Sequence, residues 1–184
     1  MKFSVVVFPG SNSDYDAFYA ASEVIGEDAA LVWHKDTDLQ GADVVILPGG
    51  FAHGDYLRTG AIARFSPVMA AVKAFADRGG PVLGICNGFQ VLLEAGMLPG
   101  AMVRNDRIKF VSRMVPVRVE QTDTPFTAAC ASKQVLQMPV AHQIIANVAR
   151  YHRRAVPQLK HEGFGALSLK YKRIVRIQIG RAHV

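Results

Sequence analysis

Apolar residues along this chain come in short Val-rich runs separated by clusters of glycine, proline and small polar residues. Lys2 to Phe8 is one such run, closed by Pro9-Gly10, and it reads as a buried parallel strand with its turn. Ser11, Asn12, Ser13 and Asp14 are all N-cap types, and helical spacing follows over Tyr15 to Val24, at Phe18, Ala21 and Ile25. Ala30 to Trp33 and Ala42 to Leu47 predict two more strands, the second stopped by Pro48-Gly49-Gly50. Beyond a Gly-rich loop, Ser66 reads as the cap of a helix with Pro67 at its first position and its end near Asp77. Gly79-Gly80-Pro81 breaks that helix. Val82 to Ile85 predicts a fourth strand, followed at once by a helix from Asn87 to Glu94. Val115 to Val119 alternates and predicts the start of an antiparallel addition.

Strands alternating with helices imply an α/β domain built on an open, doubly wound, mostly parallel sheet. In such sheets the working site lies beyond the carboxyl ends of the strands. Three loops gather there: Pro9 to Asp14, Pro48 to Asp55, and Gly84 to Gly88.

Composition narrows the class. The chain has 184 residues, 50% hydrophobic and 20% charged, which suits one domain with a substantial core. Two cysteines, Cys86 and Cys130, cannot build a disulfide scaffold. The apolar run Val5 to Phe8 is too short for a signal peptide, and no stretch suits a membrane span. Secreted, membrane, coiled-coil and disordered classes are excluded, and a cytoplasmic protein is expected. The net charge of +6 raises the question of nucleic acid, but its distribution argues against that partner. Residues 1–138 carry 12 Lys plus Arg against 14 Asp plus Glu, whereas residues 139–184 carry 9 against 1.

Gly84-Ile85-Cys86-Asn87-Gly88, at a strand-to-helix join, is the strongest chemical signal. A nucleophile elbow needs this pattern, because its central residue sits on a cramped turn that glycine on either side relieves. The helix beginning at Asn87 aims its positive end at the sulfur and is expected to favour the thiolate. Pro48-Gly49-Gly50-Phe51 follows a strand and suits an oxyanion loop whose backbone N–H groups face developing negative charge. Gln90 lies one turn into the elbow helix, where its amide faces either the pocket or solvent. His34 and His53 are poor candidates for a general base, and His53 is expected to face solvent. Met97, Met102 and Met114 read as core filler. The sequence shows no zinc-ligand spacing and neither a Gly-x-Gly-x-x-Gly nor a Walker motif, so no metal or nucleotide is assigned to this chain.

Pro48-Gly49-Gly50-Phe51-Ala52-His53-Gly54-Asp55-Tyr56-Leu57-Arg58 and Gly84-Ile85-Cys86-Asn87-Gly88-Phe89-Gln90 resemble the triad-type (class I, flavodoxin-like) glutamine amidotransferases. Phe8 to Asn12, Gly60 to Met69, Leu98 to Ala101 and Met138 to His142 are similar to the glutaminase subunits of phosphoribosylformylglycinamidine synthases. The resemblance covers residues 1–142. It implies that Cys86 attacks the side-chain amide of glutamine while N–H groups near Gly49, Gly50, Phe51 and Asn87 hold the oxyanion, with Gln90 beside the site. It implies that ammonia passes to a large synthetase subunit, with a small accessory subunit completing the complex. That partner uses ATP and Mg to turn formylglycinamide ribonucleotide into its amidine in purine biosynthesis, and this chain itself holds no cofactor.

The family triad is completed by His and Glu in a late Pro-His-Pro-Glu segment. No His-x-Glu follows Cys86 here, and His161-Glu162 is adjacent, which on a strand sends the two side chains to opposite faces. His142 and His152 have no acidic residue at the required spacing. Residues 143–184 form a basic tail that resembles an out-of-frame translation and is expected to lie outside the native family sequence. A C-terminally truncated amidotransferase domain, impaired as a glutaminase, is therefore the expectation. The alternative is a non-catalytic binding or scaffolding subunit that retains the fold.

Overall fold

The computed structural model describes residues 1–99 and 111–142. The chain divides into two units, Met1–Leu98 and Pro99–Val184.

The first unit is a four-stranded parallel sheet. Its strands are β1 (Lys2–Val7), β2 (Asp28–Trp33), β3 (Val44–Leu47) and β4 (Val82–Gly84), in the spatial order β2-β1-β3-β4. The register sets Val7 beside Trp33, Val5 beside Ile46, and Leu47 beside Gly84. All four residues of β3 are buried, as a strand covered on both faces requires. Helix α1 (Asp14–Tyr19) links β1 to β2, and α2 (Pro67–Asp77) links β3 to β4. Right-handed crossovers place these helices on opposite faces, because the steps from β1 to β2 and from β3 to β4 run across the sheet in opposite directions. That reversal between β1 and β3 is the switch point where doubly wound sheets hold their ligands. α3 (Asn87–Glu94) follows β4 directly.

Three elements differ from the sequence expectation. The predicted helix to Val24 is α-helical only to Tyr19, and its last turn widens to π geometry over Ala20–Val24. Residues 34–43 cross from β2 to β3 over β1 with no helix, held instead by Ser4 Oγ donating to Leu39 O at 2.7 Å and Lys2 N donating to Asp43 at 2.8 Å. Ser66 precedes α2, with Pro67 in its first turn, but its hydroxyl makes no cap bond. On α2, Val68, Met69, Val72 and Ala76 form the buried stripe expected of an amphipathic helix.

The second unit contains an antiparallel pair, β5 (Val111–Arg118) and β6 (Val135–His142), with Met114 opposite Pro139. The antiparallel pairing expected from Val115 to Val119 is present over Val111–Arg118, in a two-stranded sheet of its own and not as an addition to the parallel one. Val117 is buried with Met138 packed against it. Met114, expected in a core, is exposed, whereas Met97 in the first unit is buried.

Candidate active site

β4 ends at Gly84 and α3 begins at Asn87, so the chain must turn from strand to helix within Ile85 and Cys86. Cys86 is left at φ 52°, ψ −108°, a conformation that side chains other than glycine rarely adopt. Both flanking glycines are sterically required. A Cβ at Gly84 would stand 2.8 Å from Phe89 N, and one at Gly88 only 2.0 Å from Leu47 O. The first turn of α3 thus lies directly against the end of β3, and Cys86 is carried to the rim of the sheet.

The loops after β1 and β3 form the other half of this rim. Ser11 and Gly50 make an antiparallel bridge, and Ser13 N donates to Gly49 O at 3.3 Å. Gly50, at φ +125°, runs so close to the β1 loop that a Cβ would stand 2.3 Å from Asn12 N. A Cβ at Gly49 would meet the Cys86 Cβ at 3.3 Å. In this setting the backbone N–H groups of Asn87 and Gly50 act on the Cys86 sulfur in the direction that favours its charged form. Phe51, expected to help hold an oxyanion, gives its N–H to Gly10 O at 3.0 Å.

The thiol is not poised by these donors alone. Loss of hydration pushes its pKa above the ordinary thiol value, and the charge of Asp55 adds to the rise. The Asn87 and Gly50 N–H groups pull in the opposite direction without prevailing. The expected preference for thiolate is thus outweighed, although the Cys86 side chain reaches solvent. Ionisation near neutral pH calls for a base.

Asn87 contributes more than its backbone. Its side chain is buried; Oδ1 accepts from Ala52 N at 2.9 Å, while Nδ2 donates to Asp55 Oδ1 at 3.0 Å and to Gln90 Oε1 at 3.1 Å. Gln90 is itself buried, so the solvated alternative is excluded and its amide oxygen supports Asn87. The same loop is held at the far end of α3, where Arg58 makes a bidentate pair with Glu94 at 2.9 and 2.7 Å. Arg64 Nη1 also donates to Glu94 O at 3.2 Å. Sequence reasoning missed these ties; the available signal was an asparagine at the first position of a helix with apolar residues on every side.

His53, expected to face solvent, is half-buried and packs against Phe8 and His34, with ring centroids 6.4 and 5.1 Å away. Met102 and residues 143–184, including His152, His161 and Glu162, lie outside the described residues, as does the side chain of His142. Among the described residues, no group of three or more His, Cys, Asp or Glu is arranged to hold a metal ion, and no helix is long and apolar enough to cross a membrane.

Residues 1–168 match the CobB/CobQ-like glutamine amidotransferase domain. The chain is 54% identical over 142 residues to the phosphoribosylformylglycinamidine synthase subunit PurQ of Koribacter versatilis, covering 77% of this chain and 62% of that protein. It is 54% identical over 171 residues to the PurQ subunit of Rubrobacter xylanophilus, covering 93% and 76%. A structure of PurLQS from Thermotoga maritima superimposes with a TM-score of 0.72 at 42% identity, covering 78% of this chain and 66% of that one. The chain thus spans 62% of the Koribacter relative's length.

Proposed function

The chain belongs to the CobB/CobQ-like glutamine amidotransferase family, and from that premise we propose that it is the glutaminase subunit of a phosphoribosylformylglycinamidine synthase. In this reading it works in the cytoplasm and hydrolyses glutamine to glutamate. Its ammonia is delivered for conversion of formylglycinamide ribonucleotide to formylglycinamidine ribonucleotide. The observation that carries the proposal is the Cys86 backbone at φ 52°, with Gly49 set against its side chain and the Gly50 and Asn87 N–H groups favouring its charged form.

Cys86 Sγ attacks the side-chain carbonyl carbon of glutamine, and the carbonyl oxygen becomes an oxyanion. The Gly50 and Asn87 N–H groups lie where they stabilise that charge, while Gly49 leaves room for the tetrahedral centre beside Cys86. The thiol proton passes through a base to the departing nitrogen, which leaves as ammonia. Water then adds to the γ-glutamyl thioester, releasing glutamate and restoring the thiol. Asn87 and Gln90 hold the loop that carries Gly50. The partners in this reading are a large synthetase subunit, which uses ATP and Mg, and a small accessory subunit; both resemble the assembly named in the Thermotoga PurLQS structure. This chain needs no cofactor of its own.

A glutamine-derived chloroketone, followed by peptide mass analysis, tests the assignment. Labelling should fall on Cys86, be blocked by glutamine, and outpace labelling by iodoacetamide. Preferential modification of Cys130, or no protection by glutamine, would overturn it.

A further inference from the structure

Two histidines that the proposed chemistry leaves unused meet on one serine. His34, just beyond β2, and His53, in the loop after β3, stand with ring centroids 5.1 Å apart and planes at 79°. Ser66 Oγ lies 3.1 Å from His34 Nδ1 and 3.5 Å from His53 Nε2. This hydroxyl forgoes the cap bond that a serine before a helix ordinarily makes. Two proton arrangements satisfy all three groups: His53 Nε2–H donates to Ser66 Oγ, which donates to His34 Nδ1, or the chain runs the other way from His34 Nδ1–H to His53 Nε2. Phe8 lies beside both rings, and a cavity of about 330 Å³ opens onto them.

Backbone hydrogen bonds hold both ends of this relay, with His53 N–H donating to Pro9 O at 2.6 Å. His34 is fixed to the sheet, its N–H donating to Val7 O at 2.9 Å and its carbonyl accepting from Val68 N at 3.1 Å. His53 sits in a loop where His53, Asp55 and Leu57 all have positive φ, a conformation that must be paid for by tertiary contacts. Its neighbours Ala52 and Asp55 are the residues bonded to the Asn87 side chain. Gly50, three residues before it, follows Gly49, where a Cβ would stand 3.3 Å from the Cys86 Cβ, and its N–H favours the charged form of that sulfur.

We propose that His34, Ser66 and His53 form a positioning bracket that ties the strained 53–57 loop to the sheet and so keeps the Gly50 N–H aimed at Cys86. The catalytic consequence rests on the glutaminase reading; the mechanical one does not. Ser66→Ala and His53→Phe remove the hydrogen bonds while leaving the packing largely filled, and Ser66→Thr and His53→Gln restore donors and acceptors.

Two measurements on the full chain decide it. Amide hydrogen exchange over residues 50–57 should quicken by about tenfold or more in Ser66→Ala and His53→Phe, with β3 and α3 unchanged. The ratio of Cys86 labelling rates, glutamine-derived chloroketone over iodoacetamide, should fall by about tenfold or more in the same variants and recover in Ser66→Thr and His53→Gln, because only the chloroketone develops an oxyanion at the loop. Should Ser66→Ala fail to fold, His53→Phe carries both comparisons. Unchanged exchange, or an unchanged labelling ratio beside faster exchange, overturns the bracket. An unsubstituted chain that shows no preference for the chloroketone overturns the glutaminase reading instead, and the exchange data then still decide the mechanical half.

Discussion

Cys86 is under opposed influences from residues that are themselves part of the site. Gly49 brings backbone against the Cys86 side chain, and the Gly50 and Asn87 N–H groups favour its charged form while loss of hydration opposes it. Desolvation is the larger effect, and Asp55 reinforces it, so the thiol is held above its ordinary pKa. The proton is retained through neutral pH and lost only as pH rises past the raised value. Alkylation of Cys86 by iodoacetamide should therefore keep accelerating with pH beyond about 8.5, the midpoint of an unperturbed thiol. Asp55→Asn should move the inflection downward, since it removes a negative charge that opposes ionisation. Rates followed by peptide mass analysis from pH 6 to pH 10 check both; a Cys86 inflection below that of a free thiol would contradict the electrostatic account.

At the scale of elements, the join of β4 to α3 depends on how closely a helix can approach a neighbouring strand. Gly88 lies on Leu47 O, the last residue of β3, with no room for a methyl group. Gly88→Ala should consequently displace the first turn of α3, costing about 1–3 kcal/mol as overpacking does and disturbing the Asn87 side chain with it. Denaturant melts should show this loss, whereas Gly26→Ala, in open space, should lose only what its positive φ demands. The elbow was legible in the sequence because its steric requirement is local: two glycines, two residues either side of one cysteine. Strand and helix positions were legible for a similar reason, since Val-rich runs and the breakers between them act at short range, whereas the strand order β2-β1-β3-β4 came from the structure. The helix-free crossing over residues 34–43, the diversion of Ser66 from α2 to His34, and the capture of the Phe51 N–H by Gly10 were not. Each depends on which distant segment happens to lie alongside, and the hydroxyl or amide involved has an ordinary local role that the tertiary partner displaces.

For the whole molecule, the decisive question is whether acylation is followed by release. In the proposed function the first unit supplies nucleophile and oxyanion donors, and both of its histidines, His34 and His53, lie against Ser66. The sequence after Cys86 contains no His-x-Glu, the pairing that the family resemblance implies for the base and the residue that orients it. Attack by the thiol can still proceed slowly, because ammonia can leave with a proton drawn from water. Hydrolysis of the thioester then needs a second activated water, and positioned acid–base catalysis of such a step is worth about 10²–10⁴ in rate. Incubation of the 184-residue polypeptide itself with glutamine should therefore leave a persistent γ-glutamyl adduct on Cys86, visible by intact mass spectrometry, while steady-state ammonia release stays low even with a synthetase partner present. Hydroxylamine, which attacks thioesters without a base, should discharge the adduct and restore the free thiol. Ammonia release matching that of an intact glutaminase subunit, with no adduct accumulating, would show instead that a histidine of residues 142–184 supplies the base.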